Sequence, residues 1–290
     1  MIIAIVGPTG VGKTALSIAL AKYYKAEIIN FDAMQVYEKM DIGTAKVTKI
    51  EMNGVKHHLL SYVDIDTNYS VYDYQKEARS LIDKLLKEKK NIIMVGGTGL
   101  YLKATLYDYR FNKEENTTNY DDLSIEELLN RISKYNYIPK DSNNKRRLVR
   151  ELVKLENNEE IDNNGDKLLY NAKIIGLTTD RKTLYDRINK RVDIMLEDGL
   201  VEEVSSLKDK FTISKALKTA IGYKEFIPYF NSECSLEEVI QKIKQNSRHY
   251  AKRQYTFFNH QLPVTWYQSN FTDFNKTVNI VIDDIDKDDR

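Results

Sequence analysis

A doubly wound α/β sheet is predicted here by three short runs of β-branched residues, by helical periodicity between them, and by the glycine-rich turns that close two of the runs. Ile2-Ile3-Ala4-Ile5-Val6 is apolar throughout, as befits a strand covered on both faces. It runs directly into Gly7-Pro8-Thr9-Gly10-Val11-Gly12-Lys13-Thr14, and Lys13 to Tyr24 follows with a helical pattern. Strand, G-x-x-x-x-G-K-[ST], helix is the P-loop order: backbone N–H groups and a helix N-terminus surround phosphate oxygens, while the lysine and the hydroxyl serve charge and Mg²⁺. The expected fold is therefore a P-loop NTPase-like parallel sheet flanked by helices.

The second strand is Glu27 to Phe31, and Asp32 follows it. Ser70 precedes a helix with Val71, Tyr74, Ala78, Leu81, Ile82 and Leu85 on one side. Asn91 to Val95 is the third strand and passes into Gly96-Gly97-Thr98-Gly99. On parallel sheets ligands sit at the carboxyl ends of the strands, where the P-loop, Asp32 and Gly96-Gly97-Thr98 would all emerge.

From 111 to 161 the chain turns polar and asparagine-rich, with Ser124 and Glu127 in capping-box spacing. These residues are read as a helical insertion domain within a core of 1–110 and 162–282. A second helix there carries Leu148, Leu152 and Leu155 on one side and Arg146, Arg150 and Lys154 on another, a stripe that suits a solvated face or a contact surface. Ala172 to Leu177 returns to strand character, Asp180 caps a helix ended by Gly199, and Ser235 with Glu238 opens a long helix. That helix ends in a basic and aromatic stretch: Arg248, Tyr250, Lys252, Arg253, Tyr255, Phe257 and Phe258. The stretch fits phosphate contacts with base stacking, or a packed amphipathic helix. Pro263 to Tyr267 reads as a last strand, and residues 283–290 as a frayed tail.

With 44 basic and 43 acidic residues the net charge is +1, so no global field draws the protein to RNA or membrane, and any nucleic-acid surface must come from local clustering. Cys234 is the only cysteine, which excludes an intrachain disulfide and a multi-cysteine zinc site and fits a cytoplasmic protein. No apolar stretch approaches the roughly 20 residues that span a bilayer, so no membrane partner is expected.

A P-loop alone serves kinases, GTPases, motors and transferases. The strand ending at Val95 runs into glycines rather than an acidic residue, which weakens the motor reading. Asp32 can take a proton from a nucleophile or hold Mg²⁺ through water; it can also simply cap a short helix beginning near Ala33. His57 and His58 are adjacent, and since neighbouring side chains on a strand point to opposite faces and no carboxylate cluster is nearby, they are not expected to bind metal.

Read together, several blocks resemble the tRNA dimethylallyltransferase (tRNA isopentenyltransferase) family: the P-loop, Asp32-Ala33-Met34-Gln35-Val36-Tyr37, Met40 to Lys46, Val95 to Tyr101, Arg146 to Arg150, Asp198 to Val204, Ala220 to Glu225 and Tyr250 to Gln254. They occur in family order and cover nearly the whole chain. The resemblance implies transfer of a dimethylallyl group from dimethylallyl diphosphate to N6 of the adenine 3′-adjacent to the anticodon, with release of diphosphate. It implies that Gly7, Pro8, Thr9, Gly10, Val11, Gly12, Lys13 and Thr14 bind the diphosphate, with Mg²⁺ at Thr14. Asp32 is then the general base, and Thr9, Lys13 and Thr98 are its catalytic partners. Asp32, Ala33, Met34, Gln35, Thr98, Arg146, Arg147, Arg150, Gly222, Tyr223, Arg248, Lys252 and Arg253 are implied to contact the tRNA anticodon stem-loop.

The sequence departs from the family pattern at Ala33, where serine is usual, in a shorter insert, and at Thr256-Phe257-Phe258-Asn259, where Thr-Trp-Phe-Arg is usual. A monomer is expected. The alternatives kept beside this reading are a P-loop small-molecule kinase and a non-catalytic, nucleotide-gated RNA-binding module.

Overall fold

The computed structural model describes residues 1–111, 120, 122–157 and 165–288. It divides into two compact units, one of Met1–Leu106 with Leu168–Arg290 and one of Tyr107–Lys167. In the larger unit, strands β1 (Ile2–Val6), β2 (Ala26–Asn30), β3 (His57–His58), β4 (Asn91–Val95), β5 (Ala172–Thr178) and β6 (Thr265–Gln268) form one sheet. Its order is β3-β2-β4-β1-β5-β6 and every neighbouring pair is parallel. The carboxyl ends of β1, β2 and β4 therefore open on one side of the sheet, as the sequence predicts.

Helices α1 (Lys13–Tyr23), α2 (Lys49–Met52), α3 (Val71–Lys87) and α4 (Gly99–Leu106) belong to the first half of this unit. Ser70 accepts the Asp73 N–H while Asp73 reaches back to the Ser70 amide, so α3 begins where its cap residues place it. In the smaller unit, α5 (Ile125–Ser133) starts from the Ser124–Glu127 capping box and α6 (Lys145–Glu156) from Asn144. Leu128 and Ile132 of α5 pack with Leu148 and Leu152 of α6 and with Tyr120.

The second half of the larger unit contains α7 (Arg181–Glu197), α8 (Leu200–Ser206), a 3₁₀ segment (Lys208–Thr212), α9 (Lys215–Thr219), α10 (Phe226–Phe230), α11 (Leu236–Gln261) and α12 (Phe274–Asp288). One core lies under the sheet and includes Ile3, Ile5, Leu16, Leu20, Ile175 and Leu184. Another gathers Val36, Met40, Val192, Leu200, Leu217, Tyr223, Phe226 and Ile243 around the loop that follows β2.

Two boundaries differ from the sequence reading. The units divide at Tyr107 and Lys167 rather than at 111 and 161. Backbone pairing at the neck accounts for this: Leu169 N donates to Leu106 O within the larger unit (2.8 Å), and Asp108 N donates to Lys167 O within the smaller one (2.9 Å). Residues 112–119, 121 and 158–161 of the expected insert lie outside the described residues.

The tail expected to fray from Asp283 is helical through Asp288, and residues 289–290 lie outside the described residues. Val278, Val281 and Ile285 form an apolar stripe buried in the sheet-side core. Asp286 accepts from the hydroxyls of Tyr23 (3.0 Å) and Tyr24 (2.9 Å), and Ile285 O accepts from Lys173 (3.1 Å). The acidic composition hid the stripe. Ile285→Ala should lower unfolding stability by about 2–5 kcal/mol, the usual cost of truncating a buried isoleucine, where a frayed tail would show no change in a urea titration.

Candidate active site

A cavity of ≈ 1360 Å³ lies over the carboxyl ends of β1, β2 and β4. Of the residues singled out from sequence, Thr9, Gly10, Gly12, Lys13, Thr14, Asp32, Ala33, Met34, Gln35, Thr98 and Arg253 line it. Gly7 and Val11 are buried within the P-loop itself, and Pro8 O accepts from Lys13 Nζ (2.8 Å). Gly12 takes φ +101° as the N-cap of α1, and a Cβ there would sit 2.7 Å from the Phe274 ring, so both backbone angle and space require glycine.

The turn after β2 is shaped by amide chemistry. The buried Asn30 side chain donates to Leu59 O (2.9 Å) and accepts from Asp32 N (3.1 Å). Asp32 Oδ1 then accepts from Met34 N (3.0 Å), an Asx-turn bond that fixes the carboxylate plane. Oδ2 is left towards Gly97, where a Cβ would come within 3.0 Å of it. Asp32 is thus the first residue of a tight turn, and the short helix it could alternatively have capped near Ala33 is not formed, residues 33–36 being a turn. Thr98 Oγ1 accepts from Ala33 N (2.9 Å), which ties the loop after β4 to the loop after β2.

Two residues not singled out from sequence complete the arrangement. Gln254 of α11 is buried, accepts from Thr9 N (2.9 Å) and donates to Gly97 O (3.0 Å), so one amide joins the P-loop to the glycine turn after β4. Arg191 of α7 donates to Thr9 Oγ1 (2.9 Å) and reaches Ala45 O (3.4 Å). Arg187 and Arg191 are one helical turn apart on α7, a spacing that could have marked them, but their hydrogen-bond partners Gly10, Thr9 and Ala45 lie more than a hundred residues away in sequence.

The charges of the cavity are unequal. Burial, and secondarily the Arg191 guanidinium, push the Lys13 ammonium down to about 7, against a smaller opposing pull from Asp32. Burial also lowers Arg191 from its ordinary value. Two clustered cations short of anions are what a polyphosphate would neutralise.

The implied RNA contacts divide. Lys252 and Arg253 are exposed and line a second cavity of ≈ 730 Å³ with His249, Thr256, Phe257, His260 and Gln261. Arg248 does not join them, because its guanidinium binds Asn189 Oδ1 of α7 (2.6 Å), as Lys244 binds Asp193 (2.5 Å). Lys244 and Arg248 thus fasten α11 to α7. Tyr223 is fully buried, with its hydroxyl on Glu203 (2.6 Å), so its ring supports the fold rather than facing a ligand. Gly222 takes φ +93° beside it and donates to Glu225 (2.9 Å). In the smaller unit Arg146 and Arg150 are exposed, while Arg147 pairs with Glu151 (3.0 Å). His57 lines the large cavity with its ring held on Val55 O (2.9 Å), and His58 pairs with Glu27 (2.6 Å).

Fold and site together define a P-loop α/β protein in which the phosphate loop and a carboxylate face one deep cavity. A model of the IPP transferase family matches residues 35–261. The chain is 43% identical to the tRNA dimethylallyltransferase of Bacillus subtilis strain 168 over 283 residues, which is 92% of this chain and 90% of that one. It is 44% identical to the enzyme of the same name from Latilactobacillus sakei over 286 residues, 92% of this chain and 91% of that one. The solved tRNA isopentenylpyrophosphate transferase of Bacillus halodurans superposes with a TM-score of 0.77 at 39% identity, covering 99% of this chain and 95% of the other. A eukaryotic dimethylallyltransferase acting on tRNA superposes with a TM-score of 0.79 at 27% identity, covering 100% of this chain and 80% of the other. The chain belongs to the tRNA dimethylallyltransferase (IPP transferase) family of enzymes.

An anion seated against Lys13 raises the lysine's pKa above its free value of about 7, so binding takes up a proton near pH 8. Lysine's contribution to affinity is greatest below pH 7 and declines as pH rises through the bound-state pKa. Calorimetry with inorganic diphosphate in buffers of different ionisation heat should show this uptake in the native protein and lose it in Lys13→Met; equal proton counts would remove Lys13 from the site.

Proposed function

We propose that the protein transfers the dimethylallyl group of dimethylallyl diphosphate to N6 of the adenine 3′-adjacent to the anticodon of tRNA, giving N6-isopentenyladenosine and diphosphate. One observation carries the reading: Lys13 at the end of β1 and Asp32 at the end of β2 line the same large cavity. A cation site for a leaving diphosphate and a base for an incoming amine are the two things this transfer needs.

The bond from the allylic carbon to the diphosphate oxygen breaks, and charge builds on that oxygen. The P-loop amides, Lys13 and Arg191 offset it, with Thr9 holding the Arg191 guanidinium in place. The N6 lone pair bonds to the carbon, and the proton leaving N6 passes to the free oxygen of Asp32. Gly97 leaves Oδ2 uncovered, and Thr98 fixes the turn that carries it.

Mg²⁺ fits these residues. Thr14 offers an exposed hydroxyl at the first turn of α1, and among the described residues no group of three or more His, Cys, Asp or Glu gathers that would make a protein cage. An ion sharing Thr14 with substrate oxygens matches the habit of Mg²⁺. When bound it supplies charge neutralisation for the departing diphosphate.

The RNA must yield one base to the cavity, at a cost of a few kcal/mol in lost stacking. Lys252 and Arg253 of α11, with Arg146 and Arg150 of α6, are the exposed cations that offset it at the anticodon stem-loop. No described helix is long and apolar enough to cross a membrane, and the working unit is read as a cytoplasmic monomer.

Incubation with Mg²⁺, dimethylallyl diphosphate and an unmodified tRNA bearing adenine after the anticodon should give isopentenyladenosine on nucleoside mass analysis. Transfer from ATP alone would make the protein a kinase, and RNA binding without product would make it a binding module. Asp32→Asn should lower kcat by about 10²–10⁴, the usual worth of a general base, with tRNA affinity within a few fold; near-native turnover would remove the base assignment. Arg253→Ala should weaken tRNA binding and reduce the slope of log affinity against log salt by about one. An unchanged slope would place Arg253 away from phosphate.

A further inference from the structure

The P-loop is gripped from its outer side by a segment that the family match, ending at residue 261, does not reach. Ser269, buried just beyond β6, is anchored by its own N–H to Thr178 O at the end of β5 (2.8 Å). Its hydroxyl donates to Val11 O (2.9 Å). Phe271 stacks under the guanidinium of Arg187, whose carbon lies 3.8 Å from the ring centroid, and Arg187 Nε donates to Gly10 O (2.8 Å). Phe274 closes against Gly12 so tightly that a Cβ there would meet two ring carbons at 2.7 and 2.9 Å.

These contacts act on the phosphate side through the peptide plane. In a trans peptide the carbonyl of one residue and the N–H of the next point in opposite directions. Holding Gly10 O outward turns the Val11 N–H inward, and holding Val11 O outward does the same for the Gly12 N–H. Among the described residues neither N–H donates to a protein acceptor. Two aligned donors beside the N-terminus of α1 form the part of the loop that an anion meets.

We infer that Ser269 and Phe271 are positioning residues for the P-loop: Ser269 sets the Gly12 amide directly, and Phe271 sets the Val11 amide through Arg187. The inference rests on the reading of this loop as a diphosphate site and deepens it. It adds a reason for the C-terminal strand and helix to be part of the catalytic unit. α12, buried through Val278, Val281 and Ile285, keeps the segment in place against the sheet.

The test measures inorganic diphosphate binding by calorimetry, which requires neither prenyl donor nor RNA. Ser269→Ala should weaken binding about fivefold, the net worth of one ordinary hydrogen bond, and Ser269→Thr should restore most of it because the hydroxyl returns. Phe271→Leu, which keeps bulk but removes the stacked ring, should weaken binding by about two- to fivefold, the worth of an exposed cation–π contact. In steady-state assays the KM for dimethylallyl diphosphate should rise in each weakened variant while the KM for tRNA stays at its native value. Diphosphate affinity unchanged in both Ser269→Ala and Phe271→Leu would overturn the inference, as would a parallel rise in the tRNA KM or failure of threonine to rescue. If the native protein does not bind diphosphate at all, the inference falls. If it binds with the expected variant pattern but transfers nothing, the inference stands and the transfer reading falls alone.

Discussion

A single buried amide, Gln254, holds the site together. Its oxygen takes the Thr9 N–H and its nitrogen gives to Gly97 O, so the loop after β1 and the loop after β4 are fixed to the same helix. Thr98 extends the link to Ala33 in the loop after β2. Three segments that are distant in sequence are thereby locked at the ends of three parallel strands. Burial raises the stakes, because a side-chain amide taken out of water must find partners for both ends or lose the desolvation cost of each. An apolar residue of similar size would leave Thr9 N without its partner and Gly97 O with the Tyr250 hydroxyl alone (3.2 Å), and both residues line the cavity.

The cavity's electrostatics follow from this frame. Lys13 and Arg191 both approach the P-loop, while Asp32 stands on the turn after β2, two strands over, where its charge still acts on both cations. Burial, and secondarily repulsion from Arg191, push Lys13 down to about 7. A lysine and a carboxylate thus share one enclosure. Nothing in the +1 net charge of the chain betrays this local division.

Local signals in the sequence disclosed what depends on local chemistry. β1 and β4 follow from apolar runs that pass into glycine, α1 from the helical pattern after Gly12, and α3, α5 and α11 begin at their serine caps. Asp32 was legible because a strand end dictates where it emerges. What escaped depends on partners far along the chain: Arg191 and Gln254 gain their roles only through Thr9, and Tyr223 is recognisable as core only once Glu203 is beside it. β3 has two residues, too few for any periodicity to register. α12 was hidden by composition, since its acidic residues outweighed a stripe spaced at three and four. Arg248 misled for a related reason: even spacing along a helix does not say which members of a stripe meet a neighbouring helix.

The replacement of the family's serine by Ala33 can be understood on the same grounds. A hydroxyl beside the base would matter most if it were needed to aim the carboxylate. Here Met34 N already donates to Oδ1 and the Asp32 amide already donates to Asn30, so the turn is specified by the main-chain donors of residues 32 and 34, which do not depend on the side chain at position 33. Ala33 contributes its own N–H to Thr98, and that bond too is independent of the side chain. The requirement at the neighbouring loop is the strict one. Gly97 faces both Gln254 and Asp32, and a methyl there would push against the amide that joins the loops and against Oδ2 of Asp32. The chain can lose a hydroxyl next to its base because backbone geometry does the aiming, and it cannot gain an atom at Gly97 because the same geometry leaves no room.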